Sequence, residues 1–232
     1  MSENTSNKTG SKIVSIIIGI LVFGSIWGFF EATLGGFLNM IIFPNKGAIM
    51  GGIGMAIMSA ALAIYKKPLM LPFIGIVAAS FKLLNIWLVF VPVSIVNVIN
   101  PAMAIILEAT VFGLIAIVAL KMMKRNPVAS IGVGVLVGLI AATAYVYFAV
   151  YVTHAPIFKR LGISSIQQFI AGSGVIQAVF FGIFVPAGYA LGNKLANIKV
   201  PALSRPSLKY AVSAAVIVAC WGISALTVIT GF

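Results

Sequence analysis

Seven long apolar runs, separated by short polar stretches, divide the chain. Each is close to the about 20 residues that a helix needs to cross the hydrocarbon core of a bilayer. They fall at roughly 13–34, 47–65, 69–91, 101–123, 127–152, 168–192 and 209–230. Strand-like alternation is absent, which argues against a β-barrel. The pattern predicts an all-α, polytopic integral membrane protein with about seven transmembrane helices, a six-helix core plus one. A single transmembrane domain, 13–232, follows a polar segment, 1–12, expected to be a disordered cytoplasmic tail. The first apolar run is too long for a signal-peptide core and lacks a clear small-residue cleavage site, so it reads as a retained helix.

Two stretches depart from a plain spanning helix. From Ile13 to Phe43 the chain stays apolar for 31 residues, about 46 Å if helical, against a core of about 30 Å. Gly35-Gly36 is expected to break this run, with 36–43 folding back or lying in the interface. The connection from Thr153 to Gln167 carries His154, Pro156, Lys159 and Arg160, and is long enough for a short interfacial helix or a lid.

Charge sets the topology. With the N-terminus inside, the inner connections hold eleven basic residues: Lys8, Lys12, Lys66, Lys67, Lys121, Lys124, Arg125, Lys194, Lys199, Arg205 and Lys209. The outer ones hold three: Lys46, Lys159 and Arg160. That bias predicts an inside N-terminus, an outside C-terminus and an odd number of spans. Composition agrees with a bilayer setting, with 62% hydrophobic residues, 8% charged and a mean hydropathy of +1.18. The formal charge of +12 would suggest nucleic acid in a soluble chain. Here the basic residues lie between apolar runs, as head-group anchors do, and no nucleic-acid partner is expected.

Only three acidic residues occur, and Glu31 and Glu108 lie within apolar runs. A carboxylate in lipid is costly and marks a candidate functional site. At about 1.5 Å per residue from the inner anchors, Glu31 rises about 28 Å, Lys82 about 22 Å and Glu108 about 20 Å. Asn85 lies one turn beyond Lys82 on the same face, and Gln177 is near the outer end of its helix. All fall in the outer half of the membrane. A Glu–Lys–Glu cluster is the cheapest arrangement of these charges. It forms either a polar pocket open to the outside, with Trp27, Trp87 and Asn97 or Asn100 at its wall or rim, or an ion pair that orders the bundle. As a pocket, Glu31 and Glu108 would take a cationic or hydrogen-bonding group, Lys82 a carboxylate, and Asn85 and Gln177 would orient the solute.

Gly52, Ala56 and Ala60 form a small-xxx-small stripe that permits close helix approach, inside the bundle or against a separate subunit. Gly132, Gly134 and Gly138 read the same way. Tyr145, Tyr147 and Tyr151 suit an interfacial aromatic belt. Cys220 is the single cysteine and is expected to be a buried, inert thiol. Enzymatic chemistry is not expected. There is no Asp for a Ser/His/Asp triad, no H-E-x-x-H zinc helix and no G-x-x-x-x-G-K-[ST] phosphate loop. His154 is the only histidine. No cofactor or metal is implied.

The middle of the chain, about 47–119, resembles the substrate-binding S components of energy-coupling factor (ECF) transporters. The residues that carry the likeness are the Gly-rich run from Gly47, the Pro-bounded run from Pro68 to Phe90, and Asn100-Pro101-Ala102-Met103-Ala104-Ile105-Ile106-Leu107-Glu108-Ala109. The resemblance implies a small helical protein that binds a vitamin or similar micronutrient in its outer half. It also implies docking on a transmembrane coupling protein with ATPase subunits, through a stripe such as Gly52, Ala56 and Ala60, in the plasma or inner membrane. Most members have six helices, so the last run is an addition. The Met-His start of nickel and cobalt members is replaced by Met1-Ser2-Glu3, which disfavours that substrate class. Two other readings stand beside it, a proton- or ion-coupled secondary transporter and a non-transporting membrane assembly subunit.

Overall fold

A computed structural model describes residues 3–84, 98–198 and 205–231, and helices are the regular elements among them. Helix α1 spans Glu3–Ala32. Residues 3–12, expected as a disordered tail, therefore belong to the helix. Once the apolar segment has nucleated a helix, each further residue gains a hydrogen bond and fixes only its own backbone.

Helix α2, Leu34–Met40, follows after Thr33 alone. The expected break at Gly35-Gly36 does not occur, because both glycines lie inside α2. The bonds Thr33 N–H to Phe29 O and Phe37 N–H to Thr33 O, each 2.9 Å, carry the helical pattern through the junction. Glycine costs a helix only about 1 kcal/mol, whereas an unpaired backbone group in hydrocarbon costs several. The chain instead reverses over 41–45, where Ile42 and Asn45 adopt φ of 52° and 56°.

Helix α3 is Lys46–Tyr65, and α4 is Leu71–Ser80 between the 3-10 turns Pro68–Met70 and Phe81–Leu83. The outer part of the predicted 69–91 helix lies outside the described residues. Helices α5, Asn100–Arg125, and α6, Pro127–Tyr151, form a hairpin through Asn126, whose side chain accepts the Val128 N–H. Short helices α7, Ile157–Leu161, and α8, Ile166–Phe169, occupy the outer connection, as expected for 153–167. A π turn, Ile170–Gly174, leads into α9, Val175–Asn197, and α10 is Pro206–Thr230. Proline in the first turn opens α5, α6 and α10. Its fixed φ suits that position, and its missing N–H has no helical partner to lose.

Six helical stretches among the described residues are long and apolar enough to cross a membrane: Lys12–Met40, Lys46–Tyr65, Asn100–Arg125, Pro127–Tyr151, Ile166–Asn197 and Ser207–Thr230. The shorter Pro68–Leu83 is also apolar. The protein is an all-α, multi-pass membrane protein.

Helix α9 lies between α3 and α6, and both contacts are lined by small residues. A Cβ on Gly192 would stand 2.5 Å from Ala60 O, and one on Gly188 would strike the backbone of Ala56. On the other side, Gly138 meets Ala178 and Gly134 meets the Phe181 carbonyl. With lipid on the outside, such close backbone approach supplies the packing that holds helices together. The stripe Gly52, Ala56 and Ala60, read as packing inside the bundle or as a docking surface for a partner, is packed by Phe184, Gly188 and Gly192 of the same chain. Helix α10 is peripheral. Its most apolar window is 11% buried, against 67% for α3. It rests on α1, and Trp221 lies against Phe81 with ring centroids 4.1 Å apart.

The basic residues mark one end of the bundle. Lys66 Nζ donates to Asn193 Oδ1 at 3.1 Å and lies 5.2 Å from the centre of the Tyr189 ring. Lys209 Nζ donates to Ser15 Oγ at 3.1 Å. Burial, and then the charge of Lys124, hold the Lys66 ammonium below the ordinary lysine value. At the opposite end, Tyr147 and Tyr151 stack in the open, as an aromatic belt would, while Tyr145 packs on Phe169.

Candidate functional site

Three helices and one 3-10 turn carry the polar groups that the sequence singles out. Glu31 belongs to the last turn of α1. Lys82 sits in the 3-10 turn after α4. The change from 3.6 to 3.0 residues per turn rotates successive side chains relative to an α-helix. In this geometry Lys82 Nζ meets Glu31 Oε2 at 2.8 Å and also donates to the Glu31 carbonyl at 3.2 Å. Both side chains are largely buried, 15% and 9% exposed.

Glu108 is eight residues into α5 and also buried. Its Oε1 accepts from Gln177 Nε2 of α9 at 2.8 Å. Phe181, one turn beyond Gln177, packs beside the same carboxylate. A Cβ on Gly51 would stand 2.9 Å from both Glu108 Oε1 and the Phe181 ring, so only glycine leaves room there. The neighbouring Met50 and Glu31 Oε2 flank Gly35 of α2, 3.8 and 3.7 Å from where its Cβ would be. Glu108 thus lies beside Gly51 of α3, and Glu31 and the neighbouring Met50 both lie beside Gly35.

The expected Glu–Lys–Glu cluster is thus resolved into two pairs. Lys82 neutralises Glu31, and a neutral amide holds Glu108. Sequence reasoning placed Glu31, Lys82, Glu108 and Gln177 at a similar depth, and the structure pairs Lys82 with Glu31 and Gln177 with Glu108. Asn85, Trp87 and Asn97 lie outside the described residues. Trp27, expected at a pocket wall, lies one turn before Glu31 on α1. Its indole is fully buried between α1 and α3, against Gly54. Its Nε1–H has no acceptor among the described residues. The cause is local, because Gly54 removes the side chain that would otherwise keep the indole out. Asn100 is buried and accepts from Thr153 Oγ1 at 2.9 Å, which ties the start of α5 to the outer connection.

Met50, Gly51, Gly35 and Phe181 were not foreseen as parts of the site. Their apolar or featureless side chains carry no chemical signal, and only contact across helices reveals them. Among the described residues no three His, Cys, Asp or Glu side chains gather as a metal site would require. His154 is exposed on the outer connection with φ of 50°. Cys220, expected to be buried, is partly exposed on α10.

No protein-family model, curated protein or solved structure matches this chain.

Proposed function

We propose that the protein is a membrane solute-uptake component that receives a small polar solute in its outer half, at Glu108 and Gln177 beside the Glu31–Lys82 pair. The observation that carries this reading is the pairing of a buried intramembrane carboxylate with a neutral amide. A charge in the membrane is tolerated where it serves a transported species. Glu108 would accept a cationic or hydrogen-bond-donating group of the solute, and Gln177 would orient both. Lys82, already held by Glu31, would fix the field of the site. A vitamin-like micronutrient fits such a mixed polar surface. The chain has no phosphate loop of its own, so ATP-driven uptake would use a transmembrane coupling protein with ATPase subunits, as the likeness to ECF S components implies. The plasma or inner membrane is the corresponding location.

The test is native mass spectrometry of the purified chain, followed by titration with the molecule it retains. Glu108→Gln preserves size and hydrogen bonding and should lower affinity at least tenfold, with the thermal midpoint in detergent little changed. Unchanged affinity in that variant overturns the assignment.

The same neutral partner also favours a second reading, an ion-coupled secondary transporter in which Glu108 carries a proton. Uptake into liposomes by the chain alone, driven by a pH gradient without ATP and lost in Glu108→Gln, would decide for it.

A further inference from the structure

A groove of about 360 Å³ lies on the lipid-facing side of the α5–α6 hairpin, and neither Glu31 nor Glu108 lines it. One wall is the row Ile115, Val118 and Met122 of α5. The other is the row Ala129, Gly132 and Leu136 of α6. Both follow the i, i+3 and i+4 spacing of a single helix face. The walls are apolar throughout. A Cβ on Gly132 would meet nothing within 4 Å, so the middle of the α6 wall is empty space.

The groove ends in charge. Three residues beyond Met122, the α5 row reaches Arg125, and three beyond Val118 it reaches Lys121. Both are exposed at the basic end of the bundle. From Arg125 back to Ile115 is ten residues, about 15 Å along the helix. That is the depth of one leaflet of a core about 30 Å thick. The groove therefore has the length of a leaflet, an apolar body and a cationic mouth at head-group level. Basic pockets between transmembrane helices are suited to anionic lipid head groups.

We infer that this hairpin holds an anionic phospholipid of the leaflet on the Arg125 side, with an acyl chain along Gly132 and the phosphate at Lys121 and Arg125. The groove is independent of the solute site, and the inference does not rest on the function proposed above.

Native mass spectrometry of the full chain tests it, in mixed micelles that contain equal amounts of phosphatidylglycerol and phosphatidylcholine. The wild type should keep phosphatidylglycerol in preference to phosphatidylcholine. Each of Lys121→Gln and Arg125→Gln should lower that retention about fivefold, which corresponds to about 1 kcal/mol per head-group contact. Gly132→Leu fills the groove without touching the packed face, and should reduce retention of phosphatidylglycerol while the thermal midpoint stays that of the wild type. Equal retention of the two lipids overturns the inference. So does retention that is unchanged in Gly132→Leu, and so does a co-purifying protein helix cross-linked to residue 132.

Discussion

The two ends of the bundle treat charge in opposite ways. Away from the basic end, Glu31, Lys82, Glu108 and Gln177 come from four separate parts of the chain; both glutamates are buried, and Lys82 and Gln177 are partly so. At the basic end, Lys66 and Lys209 bond to Asn193 and Ser15 while remaining within reach of water and lipid head groups. A charge that can turn to water loses little when its protein partner is removed. A charge buried in the bundle depends far more on the partners the fold provides. The outer cluster is therefore where a single change should matter most, and where a functional site can store electrostatic energy.

Removing Lys82 breaks this contrast most strongly. Lys82→Ala strands Glu31 and should destabilise by about 3–5 kcal/mol, read as a lower midpoint of thermal unfolding in detergent. The double variant Glu31→Leu with Lys82→Met should recover most of the loss, since an apolar pair of similar size replaces a buried ion pair at little cost. A Lys82→Ala protein as stable as the wild type would mean that Glu31 is solvated. Next in size, Gln177→Ala removes one interhelical hydrogen bond. It should cost about 1 kcal/mol, above the average of about 0.6 and below the maximum of about 1.7 kcal/mol for such bonds in membranes. At the basic end, Lys66→Ala should change stability by at most about 1 kcal/mol, and a larger effect would show that this end is sealed too. The smallest effect concerns Lys124. Its charge is the lesser cause of the lowered Lys66 pKa, so Lys124→Gln should raise that pKa slightly, in a titration followed by NMR of the labelled lysine.

The sequence made the outer cluster visible because acids are so scarce. A glutamate in an apolar run stands out, and a fixed rise per residue gives its depth. Depth carried Glu31, Lys82, Glu108 and Gln177 into one layer, and in the structure they form the pairs Glu31–Lys82 and Glu108–Gln177. It could not say which carboxylate Lys82 meets. That depends on the rotation of each helix about its axis and on the switch to a 3-10 turn at Phe81, neither of which leaves a mark in hydropathy. Trp27 shows the same limit, since it turns inward only because Gly54 lies opposite. The Gly52, Ala56 and Ala60 stripe announced a close contact without naming the helix that makes it. Gly35-Gly36 misled for another reason. A glycine pair ends helices in water, but without water the unpaired backbone costs more than glycine's flexibility gains.

The seating of α10 on α1 has a consequence for how the protein is made. Helix α1 leaves the ribosome before the rest of the bundle, and the face that Trp221 and its neighbours cover belongs to elements inserted long before α10 exists. Until α10 is synthesised, that face must wait in lipid or against the insertion machinery, while α3, α6 and α9 can already close their glycine-lined seams. Biogenesis should then pass through a lipid-stable, seam-closed intermediate whose last step is the lateral docking of α10.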